Sequence, residues 1–251
     1  MTVSLIGFIA LFALAFFGLP LGFTMVLVGT TEELSFRGVA GDQGDLLDQV
    51  GGLDLGEPQG HRHERAGASD AHWPHGLKWA MRTAEMLAKH DVGWFEEALK
   101  PDALEDFCHL RRVSPVPIAG GEVLTRRQTF QPWLVKGAFD IVQPDVTKVG
   151  GISEQRRIAW MAHDFGVKYI GHGWNTALGL AADLQLASAF PDTDLVEYIG
   201  GSPYVDGILR EPFVVDSEGY LAIPDTPGLG MALDPEKVAR YTPDARLLFQ
   251  A

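Results

Sequence analysis

Five ionisable residues recur along the chain at nearly equal spacing. They are Glu96, Glu122, Asp145, His172 and Glu197, and the intervals between them are 122−96 = 26, 145−122 = 23, 172−145 = 27 and 197−172 = 25 residues. Each residue lies at the end of a short apolar run, so each is expected at the carboxyl end of a strand. One reactive side chain per strand–helix unit, always at the same strand end, is typical of the face where (β/α)₈ barrels build their active sites.

The types of these residues indicate proton transfer beside a cation. Glu96 and Glu122 come from adjacent units, and carboxylates without cysteines suit a hard cation such as Mg²⁺. The alternative is that Glu96 or Glu97 makes a structural ion pair at the barrel mouth. If Asp145 accepts a hydrogen bond from the imidazole of His172, it fixes the tautomer and raises the basicity, so that His172 can act as a general base. Glu197 could donate a proton to an oxyanion if its pKa is raised.

Alternating strand and helix patterns must position these side chains. Such alternation with short loops predicts βαβ crossovers and a parallel sheet. The helix candidates are residues 76–89, 102–111, 126–136, 151–165 and 175–189, and the strand candidates are 92–95, 117–119, 139–143, 169–170 and 195–198. A doubly wound sheet would gather its chemistry at one switch point, and the segment KVGGISE lacks both G-x-G-x-x-G and a Walker lysine. A barrel is therefore the predicted fold.

Charge and cysteine content exclude several functional classes. The 251 residues include 20 Lys and Arg against 33 Asp and Glu, a net charge of −13. So acidic a chain lacks the electrostatic attraction to phosphates that drives nucleic-acid binding. The single cysteine, Cys108, excludes an internal disulfide framework and a cysteine-based zinc site.

The beginning of the chain differs sharply in composition from the rest. Residues 1–31 contain no Asp, Glu, Lys or Arg, and the apolar run over 3–29 is long enough to span a bilayer as a helix. We therefore predict a membrane-spanning helix over residues 1–30; a buried core helix is the alternative. A cleaved signal peptide fits less well, because no basic n-region or clear cleavage site is present.

Residues 31–65 predict a linker rich in Gly and Asp. Turn-forming residues are dense there, and β-branched and aromatic residues are few. The cluster of His61, His63 and Glu64 suggests a metal site, but a solvated polar linker is the better interpretation because no strand or helix fixes the three side chains. The third predicted segment is 66–251.

The motifs of this third segment resemble a known family. WFEEAL, PIAGGE, DIVQPDVTKVGGISE, HGWNTALGLAADLQLA and VEY resemble successive barrel-strand motifs of the enolase superfamily. They are most similar to the mandelate racemase-like subgroup, which includes acid-sugar dehydratases. The resemblance covers about residues 66–241, and it implies an incomplete (β/α)₈ barrel of the enolase C-terminal type preceded by the apolar helix and linker.

The resemblance also implies an activity and a role for each site residue. The activity is metal-dependent abstraction of the proton α to the carboxylate of a hydroxy acid or sugar acid, as in a dehydratase or racemase. The implied roles are Mg²⁺ ligation by Glu96 and Glu122, a dyad of Asp145 and His172, an acid or electrophile in Glu197, and a lysine beside the dyad in Lys148. Trp174 and Asn175 are expected to line the pocket, although Trp174 packing on the barrel rim is equally compatible.

The sequence also departs from the family pattern. The family has a third metal ligand, an aspartate, at the end of its third strand, and the matching stretch ERAGASDAHW is expected to place Arg65 there. Asp70 and Glu64 are possible substitutes that lie away from the expected point. The first two strands and the capping domain are also missing from the pattern. A non-catalytic, membrane-tethered remnant of a truncated or chimeric gene is therefore the alternative function.

The apolar head carries a second, weaker resemblance. LIGFIALFALAFFGLPLGFTMVLVG is similar to the first helix of the large permease subunit of tripartite ATP-independent periplasmic transporters. Together with the barrel motifs, it predicts a cytoplasmic barrel tethered to the membrane through residues 1–30. The other expected partners are a small carboxylate substrate and a second copy of the chain in a homo-oligomer.

Overall fold

The structure is a computed structural model that describes part of the chain. It describes the main chain of residues 27–29 and 68–70, and residues 76–90, 92–190, 193–199, 202–217 and 219–241. These residues fall into two compact units. The first unit contains the described residues from 68 to 118, and the second contains 27–29 and those from 119 to 241.

Strands and helices alternate through both units. The strands are β1 (Leu27–Gly29), β2 (Ala68–Asp70), β3 (Trp94–Glu96), β4 (Ile118–Gly120), β5 (Ile141–Val142), β6 (Lys168–Tyr169) and β7 (Leu195–Glu197). The α-helices are α1 (Leu77–Leu87), α2 (Leu104–Val113), α3 (Arg126–Lys136), α4 (Val146–Val149), α5 (Ile152–Asp164), α6 (Ala177–Ala187) and α7 (Pro235–Val238). Short 3₁₀ turns cover Ala88–His90 and Asp206–Ile208.

The first unit pairs two parallel strands. β2 and β3 lie in register from Ala68 opposite Trp94 to Asp70 opposite Glu96. Helix α1 buries Ala80, Ala84 and Leu87, a spacing that puts an apolar stripe on one side of a helix. The stripe explains why the pattern of residues 76–89 predicted this helix.

The second unit continues the same parallel alternation. Ala119 of β4 lies opposite Ile141 of β5, and Val142 of β5 lies opposite Tyr169 of β6. The predicted parallel sheet with crossover helices is therefore confirmed. Aromatic packing supports the sheet: the rings of Trp133 and Phe139 stack with centroids 5.1 Å apart and planes only 7° apart.

Helix α6 is buried nearly all round. Its buried residues are Ala177, Gly179, Leu180, Ala181, Ala182, Asp183, Leu184, Leu186 and Ala187. A helix that is apolar on every side packs inside a protein rather than on its surface. The one acidic residue of this buried set, Asp183, therefore lies in the interior of the unit.

Strand β7 pairs with a segment from the beginning of the chain. Leu27 lies opposite Glu197 and Gly29 opposite Leu195 in an antiparallel pair. The last residues of the predicted membrane helix thus form a strand, because their main-chain groups bond to β7 instead of to their own turn. The rest of residues 1–30 and the predicted linker over 31–65 lie outside the described residues. Within the described part of the chain, no helix has the length and hydrophobicity to cross a bilayer.

Candidate active site

Asp145 is held by the turn that follows β5. It is the N-cap of α4, and its Oδ1 accepts hydrogen bonds from the main-chain N–H of Thr147 at 2.7 Å and from the Thr147 hydroxyl at 2.6 Å. An aspartate at this position satisfies main-chain donors that the first helical turn leaves open. With Oδ1 engaged in this way, Oδ2 is directed to the next strand of the sheet.

His172 follows β6 and lies between two carboxylates. Its Nδ1 is 2.8 Å from Oδ2 of Asp145, and its Nε2 is 2.8 Å from Oε2 of Glu122. The imidazole is buried, with 3% of its side chain exposed. Adjacent strand ends thus bring Asp145, His172 and Glu122 into one hydrogen-bonded row.

The two glycines beside His172 allow close packing of its loop. The Gly173 N–H donates to Oε2 of Glu197 at 2.7 Å, and a Cβ on Gly173 would lie 2.3 Å from the Glu197 carbonyl oxygen. A Cβ on Gly171 would lie 2.8 Å from Oδ1 of Asp183. Only a residue without a side chain fits either position.

The charges of this row shift two pKa values in opposite directions. Burial raises the pKa of Asp145, but hydrogen bonds from His172 and Thr147 outweigh burial and lower it from 3.8 to about 2. Burial alone would lower the pKa of His172; the negative charge of Glu197 and the hydrogen bonds to Asp145 and Glu122 raise it from 6.5 to about 11. In this arrangement His172 is an imidazolium at neutral pH.

Lys148 lies at the edge of the row. Its Nζ is 3.5 Å from Oδ2 of Asp145, and 37% of its side chain is exposed. The ammonium therefore faces both the dyad carboxylate and solvent. A partly exposed cation beside a buried carboxylate can attract an anionic substrate to the mouth of the site.

Glu122 reaches His172 from a tight turn. The preceding residue, Gly121, has φ +111°, and a Cβ there would lie 3.1 Å from the ring of Phe130. A glycine meets both requirements, since it adopts positive φ and adds no side chain. The turn delivers Glu122 to the carboxyl end of β4 as a buried carboxylate.

In the first unit, the register of β2 bears on the position of the expected third metal ligand. Asp70 closes β2 and lies opposite Glu96 of β3, so an aspartate does stand at the end of the strand preceding Glu96. Arg65, which was expected there, falls outside the described residues. Glu96 itself is buried, and its Oε2 accepts a hydrogen bond from Nε1 of Trp94 at 3.0 Å.

The strand ending at Asp70 gave little signal in the sequence. Its three residues, ASD, include no large apolar side chain, so the strand was not predicted, and the position expected for the family's aspartate was matched to Arg65. The contact between Glu122 and His172 was also missed. Among the residues whose side chains are described, no three His, Cys, Asp or Glu form a group able to hold a metal ion; the side chain of Asp70 is outside that set.

Two residues after His172, the chain turns outward. Trp174 is 51% exposed, and Nδ2 of Asn175 donates to the main-chain oxygen of His172 at 3.4 Å. Asn175 thus helps to hold the loop, whereas Trp174 presents an aromatic surface next to the site. The expectation that these residues line a substrate pocket stays a prediction.

Comparison with known proteins identifies relatives of this chain. Residues 63–238 match the family described as enolase C-terminal domain-like. The D-galactarolactone cycloisomerase of Agrobacterium fabrum is 33% identical over 181 residues, which are 68% of this chain and 48% of the relative. The D-xylonate dehydratase of Haloferax volcanii is 30% identical over 183 residues, 72% of this chain and 44% of the relative.

Solved structures give the same result. The 3,6-anhydro-D-galactonate cycloisomerase from Zobellia galactanivorans has a TM-score of 0.63 at 29% identity, covering 68% of this chain and 49% of that one. An enolase from Bradyrhizobium, complexed with magnesium and mandelic acid, has a TM-score of 0.62 at 27% identity, covering 70% and 46%.

The extent of these matches limits what they imply. The chain spans about half the length of the relatives that it matches. The family match begins at residue 63 and gives no support to the transporter resemblance of residues 1–30. Nothing in the described residues favours a membrane-tethered remnant, and the predicted cytoplasmic location and homo-oligomer stay predictions.

Proposed function

The chain belongs to the enolase C-terminal domain-like family, and on that premise we propose that it removes the proton α to the carboxylate of a hydroxy acid or sugar acid. The observation that carries the proposal is the buried imidazole of His172 between the carboxylates of Asp145 and Glu122, at 2.8 Å from each. Loss of a β-hydroxyl would make the reaction a dehydration, and return of the proton to the other face a racemisation.

The names of the relatives support sugar acids as the substrate class. The curated relatives include a D-galactarolactone cycloisomerase and a D-xylonate dehydratase. Both names refer to oxidised sugars whose α-carbon lies beside a carboxyl or lactone group. Because this chain spans about half of each relative, the complete activity belongs to the proposal.

His172 is the group proposed to move the α-proton. Nδ1 is directed at Asp145, which leaves Nε2 as the nitrogen that exchanges a proton with the substrate. Contact with Glu122 keeps Nε2 protonated, so His172 becomes a base when Glu122 turns away from the ring. A base of this kind contributes about 10²–10⁴-fold to a proton-transfer rate.

Asp145 fixes the orientation of this base, and Lys148 places a positive charge beside Asp145. The two hydrogen bonds from Thr147 fix the Asp145 carboxylate, and the carboxylate in turn fixes the ring orientation and tautomer of His172. Lys148, 3.5 Å from the same carboxylate, adds a positive charge on the solvent side. We propose that Lys148 attracts the substrate carboxylate, since this attraction requires only a partly exposed cation near the site.

Glu197 is proposed to stabilise the oxyanion that forms when the α-proton leaves. Its Oε2 is already fixed by the N–H of Gly173, so the carboxyl group is oriented before substrate binds. As a carboxylate, Glu197 raises the pKa of His172; once protonated, the same group can donate a hydrogen bond to developing negative charge.

The carboxylates fit a magnesium ion by their chemistry. Asp70 and Glu96 lie opposite each other at adjacent strand ends of the first unit, and Glu122, which the resemblance also assigns to the metal, is a buried carboxylate of the second unit. Oxygen-only donors of this kind suit a small hard cation. When bound, Mg²⁺ would supply electrostatic stabilisation of the enediolate.

Exchange of the α-proton for deuterium tests the proposal directly. The full chain with Mg²⁺ is incubated in D₂O with D-xylonate, D-galactonate and mandelate, and deuterium at the α-carbon is followed by NMR. We expect exchange that is lost in His172→Asn and kept in the matched control His163→Asn, an exposed histidine of α5. Equal exchange in the wild type and His172→Asn would contradict the proposal.

A further inference from the structure

A buried polar cluster lies beneath the loop that carries His172. Nε2 of Gln155, on α5, donates to Oδ1 of Asp183, on α6, and to the hydroxyl of Tyr169, on β6, at 2.7 Å in both cases. All three side chains are buried, at 0%, 1% and 4% exposure respectively. The cluster thus ties two helices to the strand that ends just before His172.

Gly171 rests directly on this cluster. A Cβ added to Gly171 would lie 2.8 Å from Oδ1 of Asp183 and 3.2 Å from Nε2 of Gln155, and both distances are shorter than ordinary van der Waals contact. The carboxylate and the amide therefore form the surface on which the main chain of residue 171 packs. His172 is the next residue, so the contact of Gly171 with these two side chains determines where the His172 ring lies.

We propose that Asp183 is a positioning residue for His172: with Gln155 it supports Gly171 and so fixes the main chain that carries the imidazole. The role in catalysis rests on the proposed function, whereas the effect on the ring position does not. Asp183 touches neither substrate nor reacting atoms in this assignment. It acts through Gly171.

The environment of Asp183 favours the neutral acid. Burial raises the pKa of Asp183 well above its usual value, and the charge of Asp145 raises it further. A neutral carboxyl has nearly the same shape and charge as the amide of asparagine. Asp183→Asn should therefore preserve the support under Gly171, while Asp183→Ala should remove it.

A pair of complementary substitutions tests the contact. Gly171→Ala places a methyl group against Asp183 and should displace the loop, since interiors are too closely packed to absorb it. Asp183→Ala removes the opposing carboxylate and makes room. The double variant Gly171→Ala/Asp183→Ala should therefore lie closer to the wild type than Gly171→Ala alone.

The position of the ring is read from its nitrogen resonances. ¹⁵N-histidine-labelled full chain is studied at neutral pH with a chelator, and His172 is assigned with His172→Gln. We expect Gly171→Ala and Asp183→Ala to shift both His172 nitrogen resonances, Asp183→Asn to leave them in place, and the double variant to reverse much of the Gly171→Ala shift. Asp234→Ala, which removes the N-cap of α7, is the matched control that should shift neither.

Each other result contradicts the proposal. Unchanged resonances in Asp183→Ala, or a double variant displaced as far as Gly171→Ala, would show that Asp183 does not set the ring position. If Gly171→Ala does not fold but the double variant does, the recovery supports the contact between Gly171 and Asp183. If neither variant folds, the His172 resonances of Asp183→Ala decide whether Asp183 sets the ring position. Because no substrate is used, a negative result is separate from failure of the proposed function.

If the chain exchanges α-protons, kinetics add a second readout. Displacing the base without removing groups that bind substrate should lower kcat in Asp183→Ala and leave KM nearly unchanged. Asp183→Asn should restore kcat. Equal loss of kcat in Asp234→Ala would indicate general destabilisation and overturn the assignment.

Discussion

Nε2 of His172 lies 2.8 Å from Oε2 of Glu122. The opposite nitrogen of the ring faces Asp145 at the same distance, so both ring nitrogens point at carboxylates. An imidazole between two carboxylates is stabilised as the cation, because either nitrogen can donate only if it carries a proton. Glu122 is therefore a partner of the proposed base as well as a candidate metal ligand.

Removal of this partner should lower the pKa of His172. In Glu122→Gln the carboxylate at Nε2 is replaced by a neutral amide, so the pKa should fall from its value of about 11 towards the ordinary range. The pKa is measured by NMR titration of ¹⁵N-labelled histidines in the presence of a chelator. Glu154→Gln, which removes a carboxylate bonded to Arg127, is the control; a similar fall there, or none in Glu122→Gln, would contradict the assignment.

The pKa shifts of Asp145 and His172 predict how the stability of the fold depends on pH. Asp145 has a pKa of about 2 in the fold against 3.8 for the ordinary group, so its stabilisation is complete above pH 3.8 and is lost as the pH falls through 2. His172 has a pKa of about 11 against 6.5, so its stabilisation is complete below pH 6.5 and is lost as the pH rises through 11. Both contributions are complete only between pH 3.8 and 6.5.

Urea unfolding of the chelator-treated chain over a pH series checks this window. The free energy of unfolding should be greatest inside it and should decrease on both sides. His172→Gln should remove most of the alkaline decrease and keep part of the acid one, since the hydrogen bonds from Thr147 to Asp145 remain. A wild-type free energy that stays constant above pH 6.5 would show that His172 is not stabilised as a cation.

The sequence pattern located most of the helices and strands of the described segment. The helix predicted over 126–136 has the same bounds in the structure, and the strand predicted over 195–198 differs by one residue. Apolar spacing works here because each element buries one side against its neighbours. Short elements such as α4 and β2 escaped prediction because three or four residues are too few to show a period.

The sequence predicted those site residues that follow apolar strands. It did not predict contacts that depend on turn geometry or on burial within a helix. Equal spacing brought Asp145 and His172 to neighbouring strand ends, which parallel topology makes unavoidable. The contact of Glu122 with His172 depends on the turn geometry at Gly121, which no spacing reveals. Asp183 was missed because an acid inside a helix is normally solvated; its setting in the apolar run GLAADLQLA was the available signal.

Gly173→Ala should destabilise the fold at the candidate site. The added Cβ would lie 2.3 Å from the main-chain oxygen of Glu197, and a main-chain atom cannot turn away as a side chain can. Overpacking of this kind costs about 1–3 kcal/mol, and we expect a loss near 3 kcal/mol in urea unfolding. In the control Gly76→Ala the Cβ meets no atom within 4 Å, so the free energy of unfolding should fall much less than in Gly173→Ala. Equal losses would contradict the crowding at Gly173.

Magnesium binding should depend on Asp70 and be independent of Arg65. The register puts Asp70 opposite Glu96 at adjacent strand ends, and a carboxylate at this point supplies the hard oxygen donor that Mg²⁺ prefers. In isothermal titration of the full chain with MgCl₂, Asp70→Asn should weaken binding at least as much as Glu96→Gln, because an amide loses the negative charge that attracts the ion.

Arg65→Ala distinguishes this assignment from the one that the sequence pattern suggested. If Arg65 occupied the ligand position, its positive charge would repel the ion, and Arg65→Ala would strengthen binding while Asp70→Asn changed nothing. If Asp70 is the ligand, Asp70→Asn weakens magnesium binding and Arg65→Ala leaves it unchanged. The two substitutions thus give opposite results under the two assignments, and the titration decides between them without any measurement of turnover.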